Sequence, residues 1–274
     1  MIIFSTKIAI TLYVNSDKTI IGLLTNDYEV GLYSAAVKIY SLVKEVLVAM
    51  ITVLIPRFVI ILHNKNRDEA NIFFSRVFVT LSVLLVPATI GLFLVSPEVI
   101  YVMCGLEFLS AGNTLRILSI AIIFSLYANI YSTCILIPLR KERVVFYATV
   151  ISAAVNVGLN FLLIPYFGIN AAAVTTLVAE IITFVICICS SKKDISLVGI
   201  SKDIASIIIS NIGIIIVCFA AKYLFENMYI RLLFELLISV VACFTILVIC
   251  KNTIVIETIG SVKKKINLIK SHGK

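Results

Sequence analysis

The chain has 274 residues, of which 61% are apolar and only 14% charged, and its mean hydropathy is +1.13. A soluble domain carries about 45–50% apolar and about 25% charged residues, so this composition excludes a soluble enzyme. The net charge of +8 rests on too few polar residues for a nucleic-acid groove and points to the basic flanks of membrane-spanning helices.

About 20 apolar residues cross a bilayer, and runs of that length with turn or charge signals between them predict eight spans. In chain order they cover approximately residues 2–24, 29–61, 72–96, 114–138, 143–166, 169–190, 203–224 and 230–250. The first could be mistaken for a signal peptide, but Met1–Leu24 has no small-residue cleavage site and carries Lys7, Asp17 and Lys18. The second is longer than a crossing needs, so part of it should project into water or run tilted. Pro56 and Pro87 fall inside the second and third spans and should kink them. The expected fold is therefore an all-α, polytopic helical bundle of about eight transmembrane helices.

Lysine and arginine gather after the second, fourth and sixth spans, at 63–76, 140–143 and 190–202, and in the tail beyond residue 250. The alternate connections, 25–29, 96–113, 165–170 and 225–231, hold Arg231 as their one basic residue. The positive-inside rule then places both termini and every basic loop in the cytoplasm of a cell with a cytoplasmic (inner) membrane. In the tail, Ile254, Ile256, Ile259, Val262, Ile266 and Ile269 recur at helical spacing among lysines. Such a pattern fits a helix lying on an anionic leaflet, and equally an ordinary solvated end.

The seven cysteines lie mostly in apolar runs, are odd in number and have no CxxC spacing, so they read as small hydrophobes. The two histidines, His63 and His272, have no second ligand near them. No metal or cofactor is called for.

A charge at bilayer depth costs about 2.5–3.5 kcal/mol on insertion scales, which makes each intramembrane charge informative. The candidates are Lys7, Asp17, Lys18, Lys38, Lys44, Glu45, Glu180 and Glu235. Lys7 and Lys18 share a helix face, as do Lys38 and Glu45, so the first two antiparallel spans could meet along a charged stripe. That stripe reads either as the wall of a hydrated cavity for an anionic group, or as structural ion pairs and lysines snorkelling to headgroups. Lys44 and Glu45 lie near mid-span and cannot snorkel far. Polar residues also form i, i+4 ladders: Ser125, Asn129 and Thr133; Ser152, Asn156 and Asn160; Ala172, Thr176 and Glu180. These serve as glue between helices or as cavity lining for sugar hydroxyls. Glu180 can gain and lose a proton and is the leading ion-coupling candidate, with Glu45 and Asn156 beside it.

The stretch Ser16–Phe58 resembles the bacterial polysaccharide and O-antigen flippases of the multidrug/oligosaccharidyl-lipid/polysaccharide exporter superfamily. The resemblance rests on Asp17-Lys18 near the end of one span, on Val30 to Ala36 (Val-Gly-Leu-Tyr-Ser-Ala-Ala) opening the next, and on Leu54, Pro56 and Arg57 closing it. Asn160–Ala173 is similar to the family's turn between two later spans. The resemblance implies transport without covalent chemistry: a lipid-pyrophosphate-linked oligosaccharide is flipped across the cytoplasmic membrane by two lobes around a positively charged cavity, usually with an ion gradient coupled. It implies that Lys38 and Asp17 face that cavity; Lys18, Lys44 and Arg116 are added from the residues alone. Partners would be the lipid-linked oligosaccharide and membrane lipids, with no nucleic acid.

The chain corresponds to the second lobe of such a flippase, residues 1–190, followed by two further helices in 191–250 and a basic amphipathic tail in 251–274. The expectation is a C-terminal fragment, a split-gene half or a product of a misplaced start, completed by a separate N-terminal half or a second copy. A drug or cation exporter of the same superfamily is the nearest alternative, although an intramembrane lysine cluster disfavours cations. A structural membrane protein is a further one. A membrane enzyme needs an acid/base platform, and the longest outward loop, near Pro97 to Asn113, offers only Glu98 and Glu107.

Overall fold

The computed structural model describes residues 16–63 and 67–260. The calls on Lys7, His272 and the tail beyond 260 lie outside them. The described residues open with the end of a helix, α1 (16–24), and a turn in which the Asn26 side chain accepts the Glu29 amide at 2.9 Å, capping the next helix. There follow α2 (Asp27–His63), α3 (Arg67–Cys104), a short 3₁₀ turn (Leu106–Phe108) and α4 (Ala111–Tyr131). A π turn (Ser132–Leu136) extends α4 and ends just before Pro138, which has no N–H to continue the ladder. Next come α5 (Glu142–Ser191), α6 (Ser201–Leu224), α7 (Met228–Ile249) and a tail helix, α8 (253–260). Six of these helices are long and apolar enough to cross a membrane. The chain is a multi-pass, all-helical membrane protein.

The predicted spans and the helices coincide closely, with one correction. Residues 97–104 are not loop: α3 runs on through Pro87 and Pro97 to Cys104, leaving only 105–110 as the connection to α4. At about 1.5 Å per residue, α2 and α3 are each roughly 55 Å long, well beyond the roughly 30 Å of hydrocarbon, so both project from the bilayer. Where α3 meets α4, Gly112 lets the helices touch: a Cβ there would stand 3.1 Å from the Pro97 Cα.

The α5 segment is two antiparallel arms. Gly168 adopts φ 57, ψ −142, which only glycine tolerates readily, and reverses the chain after Pro165. Ser152 meets Thr183 at 2.7 Å and Asn156 meets Thr175 at 3.2 Å, pairs whose separation shrinks toward the turn as a hairpin requires. Thr114 on α4 donates to Asn170 at 2.8 Å and ties down the hairpin tip.

Two apolar cores result. The larger joins α1 to α5 around the centrally placed α4, with Tyr33, Phe58, Phe74, Leu118, Ile122 and Leu126 fully enclosed. The smaller holds α6 and α7 against one side of α3 through Val79, Val95, Ile207, Ile214, Cys218 and Leu247. Lipid tails are as apolar as these residues, so close packing and internal polar bonds, rather than burial from water, hold such helices together. All seven cysteines are free thiols.

Only the first part of the tail, the helix α8, is among the described residues. Val255 is its buried residue and Ile254 packs beside it, whereas Ile256 and Ile259 are exposed. Asp203, buried at the start of α6, caps the tail by accepting the Thr253 amide at 2.8 Å and its hydroxyl at 2.7 Å.

Candidate functional site

The polar ladders of the two α5 arms converge on α1 and α2. At the centre is Asp17, 4% exposed. Its Oδ2 accepts the Tyr33 hydroxyl at 2.8 Å and the Thr176 hydroxyl at 3.0 Å, and its Oδ1 accepts the Asn160 side-chain amide at 2.7 Å. Asn160 also donates to the Asn156 carbonyl oxygen at 3.1 Å, and Asn156 donates to Thr175 at 3.2 Å.

Counting protons makes this arrangement informative. The single hydroxyl proton of Thr176 reaches either Asp17 or the Ala172 carbonyl, 2.9 Å away. That of Thr175 likewise chooses between Asn160 and Ala172. Neutral donors surround the carboxylate, and none of the ion pairs among the described residues includes it. Among the described residues the knot is thus a carboxyl group met by neutral donors, in a cage whose amides and hydroxyls can rotate to present oxygen.

Two turns further along α2 lies a second group. Lys44 donates to Glu180 at 3.1 Å and to the Tyr40 hydroxyl at 3.1 Å, and Tyr40 donates to Glu180 at 3.4 Å. Tyr33, Tyr40 and Lys44 share one face of α2, and Thr176 and Glu180 share one face of the second α5 arm, so both groups line a single helix contact.

The other expected site residues lie elsewhere. Lys38 and Glu45 are exposed and share the opposite face of α2 with Leu42, Val46 and Val53. Lys18 is partly buried next to Asp17 in sequence. Arg116, on α4, bonds the neighbouring Asn113 side chain at 3.2 Å, apart from either group. The structure thus brings together Asp17, Asn156, Asn160 and Thr176, and separately Lys44 and Glu180. The charged stripe expected between the first two spans does not form among the described residues, because Asp17 of α1 meets the Tyr33 side of α2 while Lys38 and Glu45 lie on the other side of that helix. Tyr33, Tyr40 and Thr175 were not anticipated. In a chain with 11 tyrosines, nothing local marks the two whose hydroxyls reach these groups.

These features define a multi-pass helical membrane bundle with two polar groups enclosed where α2 meets α1 and the α5 arms. Residues 1–113 match the family described as "Polysaccharide biosynthesis protein". The fold is similar to that of the lipid II flippase MurJ in its inward closed conformation, with a TM-score of 0.71 at 18% identity over 89% of this chain and 51% of that one. The chain therefore spans about half the length of that flippase. No curated protein matches the chain in sequence. The family match covers Ser16–Phe58, the stretch that carries the resemblance, and the structural match shows a shared fold.

Proposed function

We propose that this chain supplies one lobe of a flippase that turns an anionic, lipid-pyrophosphate-linked oligosaccharide across the cytoplasmic membrane, with the basic loops on the cytoplasmic side. The observation that carries this reading is the uncovered face of α2, where Lys38 and Glu45 stand exposed within a helix long and apolar enough to span a membrane. Facing lipid, each would cost about 2.5–3.5 kcal/mol, so that face suits a hydrated cavity closed by further helices. A lysine on the wall of a low-dielectric cavity is a suitable counter-charge for a pyrophosphate. The work is binding, reorientation and release, with no bond made or broken.

The coupling ion would act at Asp17. Glu180 is already neutralised by Lys44, whereas Asp17 is an enclosed carboxyl group that takes part in none of the ion pairs among the described residues. A proton or a small monovalent cation would complete that charge once Asn160 turned its carbonyl oxygen inward. The knot joins α1, α2 and both arms of α5, so its occupancy would set how tightly these helices close.

The test replaces the native gene copy by Lys38→Gln and measures surface glycan and accumulated lipid-linked precursor. Export should fall at least several-fold, with precursor accumulating and Lys38→Arg restoring it. Normal export in Lys38→Gln cells would sink the cavity-wall assignment.

A further inference from the structure

A second charged cluster lies away from the flippase site, between α3, α6 and α7. Glu98 and Glu235 are 2% and 1% exposed. Arg231 donates to Glu98 at 2.6 Å, and its side chain is only 16% exposed. Arg231 and Glu235 are four residues apart on α7 and so lie on one face, with Leu232 buried between them. The charges acting on Glu235 are Glu98, Arg231 and Lys222, the last exposed near the end of α6. The Cys218 thiol of α6, 3.8 Å from Ser239, adjoins the same group.

Apart from Asn211 Oδ1 on α6, every enclosed side-chain polar atom without a partner among the described residues belongs to this cluster. Both Glu235 oxygens, Glu98 Oε2 and Arg231 Nε are enclosed without a partner. Lys222 is exposed to its surroundings, so the enclosed groups are two carboxylates against one guanidinium, one negative charge in excess in a place where an unmet ionised group is severely penalised. A single added proton removes the excess charge, makes one carboxyl a donor and lets it bridge to the other. A metal cation would answer the charge too, but the guanidinium already seated on Glu98 repels it and the cluster offers few free oxygens.

We propose that Glu98, Arg231 and Glu235 form a proton-binding site in which the two carboxyls share one proton. The site lies roughly 10 Å along α7 from its first residue, at the end of the bundle bearing the α6–α7 turn. It therefore lies toward the side opposite the basic loops, with Arg231 nearer that end than Glu235. It does not depend on the flippase reading, because it is defined by residues of α3 and α7 alone.

Infrared difference spectroscopy of the full chain in lipid vesicles, with isotope-labelled glutamate, tests this directly. At neutral pH the wild type should show one protonated glutamic acid in a dry environment, which titrates away at alkaline pH. Glu235→Gln should lose that band, and Glu98→Gln should move its titration to lower pH. Because an amide mimics the neutral acid, Glu235→Gln should also melt no lower than wild type at neutral pH. Absence of a protonated glutamic acid in the wild type overturns the proposal, and so does its persistence in Glu235→Gln. Saturable loss of the band on adding sodium at constant pH overturns it in favour of a metal cation. Should Glu235→Gln fail to fold, the wild-type titration and Glu98→Gln decide between the same outcomes.

Discussion

Asp17→Asn separates a working ion site from a structural bond. The wild-type carboxylate accepts three bonds, at 2.7, 2.8 and 3.0 Å. Charge-assisted bonds contribute about 1.5–3 kcal/mol and neutral ones about 0.5–1.5, so neutralising the acceptor forfeits roughly 3 kcal/mol over the three. An asparagine also turns an N–H₂ toward one of the donors, an unmet contact of about 2 kcal/mol. Against this, removing an ionised group from bilayer depth offsets about 3 kcal/mol. The net destabilisation is about 2 kcal/mol, small enough for the protein to accumulate. If Asp17 carries the coupling ion, export should nevertheless fall more than about tenfold, well beyond what a change of this size in folding stability explains. The assay pairs reversible unfolding in mixed detergent micelles with surface-glycan measurement in cells carrying the variant. Export within about twofold of wild type, or a stability loss above about 5 kcal/mol, would refute the reasoning; the latter would make the knot purely structural.

A double-mutant cycle with Lys44→Met and Glu180→Gln should give a coupling of about 1–3 kcal/mol in the same unfolding assay. The side chains are 30% and 13% exposed, so the value should fall short of a fully enclosed pair, and a coupling below about 0.5 kcal/mol would mean the 3.1 Å contact is not energetically significant. Asp203→Ala removes both bonds that hold the tail at Thr253. It should cost about 1–3 kcal/mol locally and expose 253–260 to protease, while hydrogen exchange along α4 stays unchanged.

Spans were legible because hydropathy at a window of a helix's length is a property of the chain itself. The α5 hairpin could be read from Pro165 and Gly168, since backbone sterics act locally. Two things were not legible, and both depend on distant partners. Pro97 and Glu98 resemble a loop start in sequence, yet Glu98 is enclosed by Arg231, 133 residues away. Asp17 and Lys38 both carry charge in early spans, but only the packing of the α5 arms encloses the one and leaves the other exposed. The ladders containing Asn156, Asn160 and Thr176 gave the right faces without saying what they would meet. Lys44 and Glu180 were each noted separately, and only the packing of α2 on α5 made them a pair.

Helix α3 belongs to both apolar cores: Phe74, Leu81 and Leu85 face the larger, Val79 and Val95 the smaller, and Glu98 reaches α7. Mechanically it is a shared axle. Any tilt of α3 that reshapes the α1–α5 lobe must swing α6 and α7 with it as an outrigger. A probe attached at the exposed Tyr223, on the last turn of α6, would then report lobe motion with an amplitude set by leverage rather than by its own contacts.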